Sequence, residues 1–247
     1  MSHTITLIIA YATVCALWWA LSFLLPLWRA PDRPKFARPW IEVAWAFLAV
    51  IGVLVLGQVY SRGVRFHAPG AWQIAAESLN QILIFFPIVL LPVIRKQGWS
   101  SAWIQLRRLW ARLLVGFGLA LIALLIFSLV EQGSPSWWIA VKSAFRFGNA
   151  HLAVQVLLED IAIAIVFVRV AAATSPQYAI LLVALLFAAG HIPAMIANGA
   201  SAQELLGLVR DFGLGVLVIG TLWRGADIAW FCPVHFALDM TQFMPKG

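Results

Sequence analysis

Stretches of roughly twenty mostly apolar residues, the length an α-helix needs to cross a bilayer, follow one another along this chain with short connections between them. Eight such stretches are expected, at about 5–28, 40–60, 73–94, 111–130, 151–173, 177–198, 212–223 and 226–243, the last two being short. A chain of 247 residues that is 63% hydrophobic and 11% charged, with mean hydropathy +0.92, is outside the range of soluble domains. The expected fold is all-α: a polytopic membrane bundle of about eight transmembrane helices with short interfacial helices. It forms one integral membrane domain over residues 1–247, with N-terminal helices and basic loops in 1–150 and the polar motifs in 151–243.

The first stretch has no Lys or Arg before it, a long apolar run and bulky Leu-Pro-Leu-Trp where a cleavage site would need small residues. It is therefore expected to be a retained helix rather than a signal peptide. Trp28, Trp40, Trp72, Trp110, Trp137, Trp138 and Trp223 fall at predicted segment ends, where indole sits well between headgroup and hydrocarbon.

The net charge of +7 comes from basic residues in short loops, which fits contact with anionic lipid and excludes a nucleic-acid surface. Eight crossings put the loops 29–39 and 95–112 on one side with Arg169 and Arg224, collecting about eleven of the seventeen basic residues there. That side is expected to be cytoplasmic, with both termini outside. Trp99, Trp103, Leu106 and Trp110 predict an amphipathic surface helix in the second loop, and 137–147 and 201–211 read as short interfacial helices. Ser201 followed by Glu204 has capping-box spacing. Glu42 and Glu77 lie near segment ends, where a solvated role is expected. Cys15 and Cys232 read as two buried thiols.

Against this background the second half of the chain stands out. Glu159 and Asp160, then His191, then His235 and Asp239 interrupt three apolar stretches, although an Asp at the centre of a membrane helix costs at least about 2.5–3.5 kcal/mol. His235 and Asp239 are one helical turn apart, so the carboxylate is expected to orient the imidazole, and Phe187 has the same spacing to His191. Glu159 and Asp160 are adjacent, about 100° apart around a helix, which suggests one reactive carboxylate and one support facing a neighbouring helix. A carboxylate base, two imidazoles and a further acid suffice to hydrolyse a peptide bond within a membrane. A proton relay in a transporter would use the same residue types, but the chain shows no internal repeat.

These segments resemble a known family. Glu159-Asp160 is similar to its Glu-Glu-x-x-x-Arg motif, Phe187-Ala-Ala-Gly-His191 to its Phe-x-x-x-His motif, and His235-Phe-Ala-Leu-Asp239 to its His-x-x-x-Asn/Asp motif. The family is the CPBP intramembrane proteases, also called the Abi or CAAX-protease family, which includes the Ras-converting CAAX endopeptidase and the myxosortases. The resemblance covers about residues 157–242. It implies a peptide-bond hydrolase of the bacterial plasma membrane in which Glu159 activates water beside His191, while His235 with Asp239 stabilises the oxyanion and Asp160 supports them. The metal-free mechanism is preferred; zinc held by Glu159, His191 and His235 is the alternative. The implied partners are membrane lipid and a protein substrate with a C-terminal hydrophobic segment, with a prenylated CAAX protein as the runner-up and a non-catalytic scaffold or immunity role as the alternative of another class. Two positions depart from the pattern: the arginine is replaced by Ala164, and the glycine after it by Ile165.

Overall fold

The computed structural model describes residues 3–25, 27, 34–133, 137–197 and 199–243. The expected all-helical class holds, with no strand among these residues. Eleven α-helices are described: α1 (His3–Leu24), α2 (Pro39–Ser61), α3 (Gln73–Ile94), α4 (Leu109–Gln132), α5 (Trp137–Ala144), α6 (Ala150–Ala173), α7 (Pro176–Gly190), α8 (Ile192–Ala197), α9 (Ala202–Leu206), α10 (Leu208–Gly225) and α11 (Phe231–Asp239). Among the described residues, five stretches are long and apolar enough to cross a membrane: α1, α2, α3, Leu109–Glu131 of α4, and α9 with α10. Part of the first basic loop, 28–33, lies outside the described residues.

Local chemistry sets several helix ends. Pro39 and Pro176 occupy the first turns of α2 and α7, where a missing N–H leaves nothing unsatisfied. Ser175 caps α7 by accepting from the Tyr178 amide at 3.4 Å, and Ser201 with Glu204 forms the expected reciprocal capping box on α9. Gly133, at φ +61°, ends α4 in the left-handed conformation that a glycine adopts without strain.

α6 is the centre of the bundle. It packs on α2, α3, α7 and α11, and from Ala164 to Val170 its residues are buried on every face. A second layer joins α1 to α4 and α10, with Trp18 of α1 stacked on Trp230 at 4.7 Å between ring centres. α4 comes very close to the segment entering α11: a Cβ added at Gly116 would lie 2.5 Å from the Trp230 carbonyl oxygen. Only glycine permits that approach.

Several expectations are corrected. The stretch 177–198 is two helices, not one. α7 stops at Gly190, His191 caps it, and α8 restarts at Ile192 with Pro193, which has no N–H to return to the carbonyl four residues back. The stretch 226–243 is also interrupted. Ala226 is left-handed at φ +42°, α11 has nine residues, and a 3₁₀ turn, Met240–Phe243, follows it.

The loop 95–112 is no surface helix. Left-handed residues Lys96, Trp103 and Arg108 break it around a short 3₁₀ turn, Trp99–Ala102. Trp103 is buried against Phe167 of α6 at 4.8 Å. Glu42 is not solvated either. It is buried and accepts from Arg95 Nη2 at 2.6 Å and Gln97 Nε2 at 2.7 Å, while Gln97 Oε1 accepts in turn from Arg169. The buried Asn80 ties down the connection before α3 by exchanging two 3.0 Å hydrogen bonds with the Phe66 backbone.

Candidate active site on α6 and α11

α6 places Glu159 and Asp160 in its middle, and α11 packs against it with His235 and Asp239 on successive turns. Asp160 is buried, and its Oδ1 lies 2.9 Å from Nδ1 of the buried His235, 75 residues away in sequence. The His235 Nε2 faces Asp239 Oδ1 at 3.7 Å, too long for a hydrogen bond. The expected roles of the two acids are thereby redistributed: Asp160, the support facing a neighbouring helix, orients the imidazole, whereas Asp239 lies near its other nitrogen.

One donor atom each from Glu159, His235 and Asp239 fall within 4.8 Å of one another. Glu159 is half-buried and the Asp239 side chain is 37% exposed, so the group runs from the core towards an open side. The Phe231 ring lies 5.3 Å from the imidazole and covers one face of it.

His191 is placed differently. It is exposed at the end of α7, its Nδ1 lies 2.8 Å from the Phe187 carbonyl oxygen, and it is outside the group of mutually close donors. The expected packing of Phe187 on it is present, edge-on at 5.0 Å.

Gln155 is a site residue that sequence reasoning passed over. Its Nε2 donates to Glu159 Oε1 at 2.8 Å and fixes that carboxylate from one turn back. The signal was available, as a lone polar residue four positions before Glu159 on an apolar helix. Where the motif that this segment resembles carries an arginine, Ala164 is fully buried and offers Asp160 no side-chain donor. Asp160 Oδ2 is buried without a hydrogen-bond partner. Arg169 does not substitute, since its guanidinium donates to Ile165 O, Ser101 O and Gln97 near the far end of α6.

Among known protein families, characterised proteins and solved structures, none matches this chain.

The residues present suit two kinds of chemistry. One is a carboxylate held by an amide beside an imidazole held by a second carboxylate, the elements of general-base activation of water. The other is a divalent-cation site, because one imidazole and two carboxylates are hard or borderline donors of the kind zinc accepts. In that case Asp239 takes the place expected of His191, and the bond from Asp160 to Nδ1 fixes the ring for ligation through Nε2.

Proposed function

We propose that the chain is an intramembrane endopeptidase of the CPBP type, hydrolysing a peptide bond near the C-terminal membrane segment of a protein substrate. The observation that carries this reading is the convergence of Glu159 and Asp160 on α6 with His235 and Asp239 on α11. Intramembrane acids at such depth mark function far more often than packing.

In the proposed reaction Glu159 takes a proton from water as the oxygen attacks the scissile carbonyl. The carbonyl π electrons move to oxygen, and the protonated His235 donates Nε2–H to the resulting oxyanion. Collapse of the tetrahedral intermediate breaks the C–N bond, and the leaving amine takes the proton from Glu159. Gln155 positions the base, and Asp160 holds the imidazole through Nδ1. Asp239 lies near Nε2, 3.7 Å away. His191 is the expected member that the described geometry leaves outside, and His191→Ala measures its contribution. A divalent cation, if bound by Glu159, His235 and Asp239, would supply Lewis-acid activation of the water.

The proposed topology has eight crossings, with α7 and α8 sharing one and α11 with its 3₁₀ turn forming the last, and with both termini outside. The site then opens outward. That favours a secreted substrate bearing a short motif, one apolar helix and a basic tail over a prenylated CAAX protein.

The test is cleavage of such a tail-anchored protein, encoded beside this chain, by purified protein in liposomes with and without chelator. A single new C-terminus in the substrate supports the reading, and its absence at every protein concentration contradicts it. A reporter fused after Gly247 that proves cytoplasmic would instead favour the CAAX substrate.

A further inference from the structure

A second concave site lies at the other end of α6, away from the Glu159 group. It is a cavity of about 480 Å³ walled by Trp19 of α1, Trp103, Val168 of α6, and Gly220, Trp223 and Arg224 of α10. Its volume is within the roughly 300–1,000 Å³ of small-molecule pockets. Among the described residues, most of the wall is indole and aliphatic carbon, and none of it is carboxylate.

Arg224 is exposed at this cavity, with its guanidinium carbon 4.9 Å from the Trp19 ring centre and 4.7 Å from that of Phe23. Among the described residues no carboxylate lies within ion-pair distance of it. Three other arginines are committed elsewhere: Arg95 to Glu42, Arg112 to Asp227, and Arg169 to Gln97 and backbone carbonyls. A guanidinium in a bilayer needs an anion or water, and its planar fork suits phosphate oxygens. Stacking on two rings holds that fork in place without consuming its N–H donors.

We infer that this cavity is a binding site for an anionic phospholipid, with Arg224 on the phosphate and the upper acyl chain against Trp19, Trp103 and Val168. The lipid reading follows from the pairing of one fixed cation with a largely apolar wall. A free phosphate would gain nothing from that wall, whereas a lipid fills both parts. The aromatic residues suit the depth of the headgroup boundary. The inference does not depend on the proteolytic reading of the α6 and α11 group.

The test is native mass spectrometry of the purified full-length protein in neutral detergent, titrated with phosphatidylglycerol, with phosphatidylcholine and with inorganic phosphate. The wild type is expected to retain one phosphatidylglycerol at least tenfold more strongly than phosphatidylcholine, with no competition from millimolar phosphate. Arg224→Gln is expected to abolish the preference. Gly220→Leu keeps the charge and fills the cavity; a Cβ there meets only Ile180 Cδ1 at 3.9 Å. It should lose lipid retention as well. Unfolding temperatures of both variants measured without added lipid, matching wild type, separate lost binding from lost fold. Equal retention of the two lipids by the wild type, unchanged preference in folded Arg224→Gln, or displacement by inorganic phosphate would each overturn the assignment.

Discussion

The contact between Asp160 and His235 separates a reactive centre from an ordinary polar contact by its magnitude. The Asp160 side chain is fully buried and that of His235 is 9% exposed, with 2.9 Å between Oδ1 and Nδ1. Interhelical hydrogen bonds in a membrane protein average only about 0.6 kcal/mol in double-mutant cycles, with a maximum of about 1.7. A hydrogen bond involving a charged group contributes about 1.5–3 kcal/mol. An ionised Asp160 therefore predicts a coupling energy above about 1.5 kcal/mol, measured by reversible unfolding in mixed micelles of wild type, Asp160→Leu, His235→Leu and the double variant. The single variants should also be unequal. His235→Leu strands a buried carboxylate whose Oδ2 already lacks a partner, which costs about 3–5 kcal/mol. Asp160→Leu leaves an imidazole whose other nitrogen still faces Asp239, and should cost less. A coupling at or below about 0.6 kcal/mol, or equal losses in the two single variants, would refute the view that an ionised carboxylate orients this ring.

Three further outcomes follow from the packing. Gly116→Ala drives a Cβ to 2.5 Å from the Trp230 carbonyl oxygen and 2.8 Å from its Cα, and should destabilise the protein by about 1–3 kcal/mol in the same unfolding assay; an unchanged midpoint would show that α4 and the Trp230 backbone are not in contact. Arg95→Leu should cost more than Glu42→Leu, because it leaves the 7%-exposed carboxylate inside the bundle, whereas Arg95, at 34%, still reaches solvent; the reverse order in thermal unfolding would contradict this. Ser201→Ala removes the hydroxyl that accepts from the Glu204 amide and leaves the backbone N–H at 201 to donate to the Glu204 carboxylate, so hydrogen exchange at the Glu204 amide should accelerate by an amount corresponding to about 0.5–2 kcal/mol; unaltered exchange would deny the cap.

Much of the helical framework was readable because apolar run length is a direct physical demand of the bilayer. The capping box at Ser201 was readable because its two partners are three residues apart. What depended on packing between helices was not readable. Spacing alone paired His235 with Asp239, while the nearer partner is Asp160, brought in by the contact of α11 with α6. The loop 95–112 has helical periodicity in its Trp and Leu residues. The burial of Trp103 against Phe167 overrides it and bends the chain through three left-handed residues. Glu42 sits four residues from a polar segment end, which is compatible with solvation until Arg95 and Gln97 fold over it. The break at Gly190 was legible in Pro193, yet apolar residues flank it on both sides and read as one span. That break leaves His191 exposed at the end of α7 and outside the group formed by the other four polar residues.

The central claim, that the α6 and α11 group activates water for peptide hydrolysis, is tested most directly by single-turnover cleavage of the tail-anchored substrate with wild type and Glu159→Gln in the same liposomes. Gln keeps the shape and a hydrogen-bonding partner for Gln155 but cannot take the proton, so the cleavage rate should fall by about 10²–10⁴-fold with substrate binding unchanged. A Glu159→Gln protein that cleaves at the wild-type rate would contradict the account.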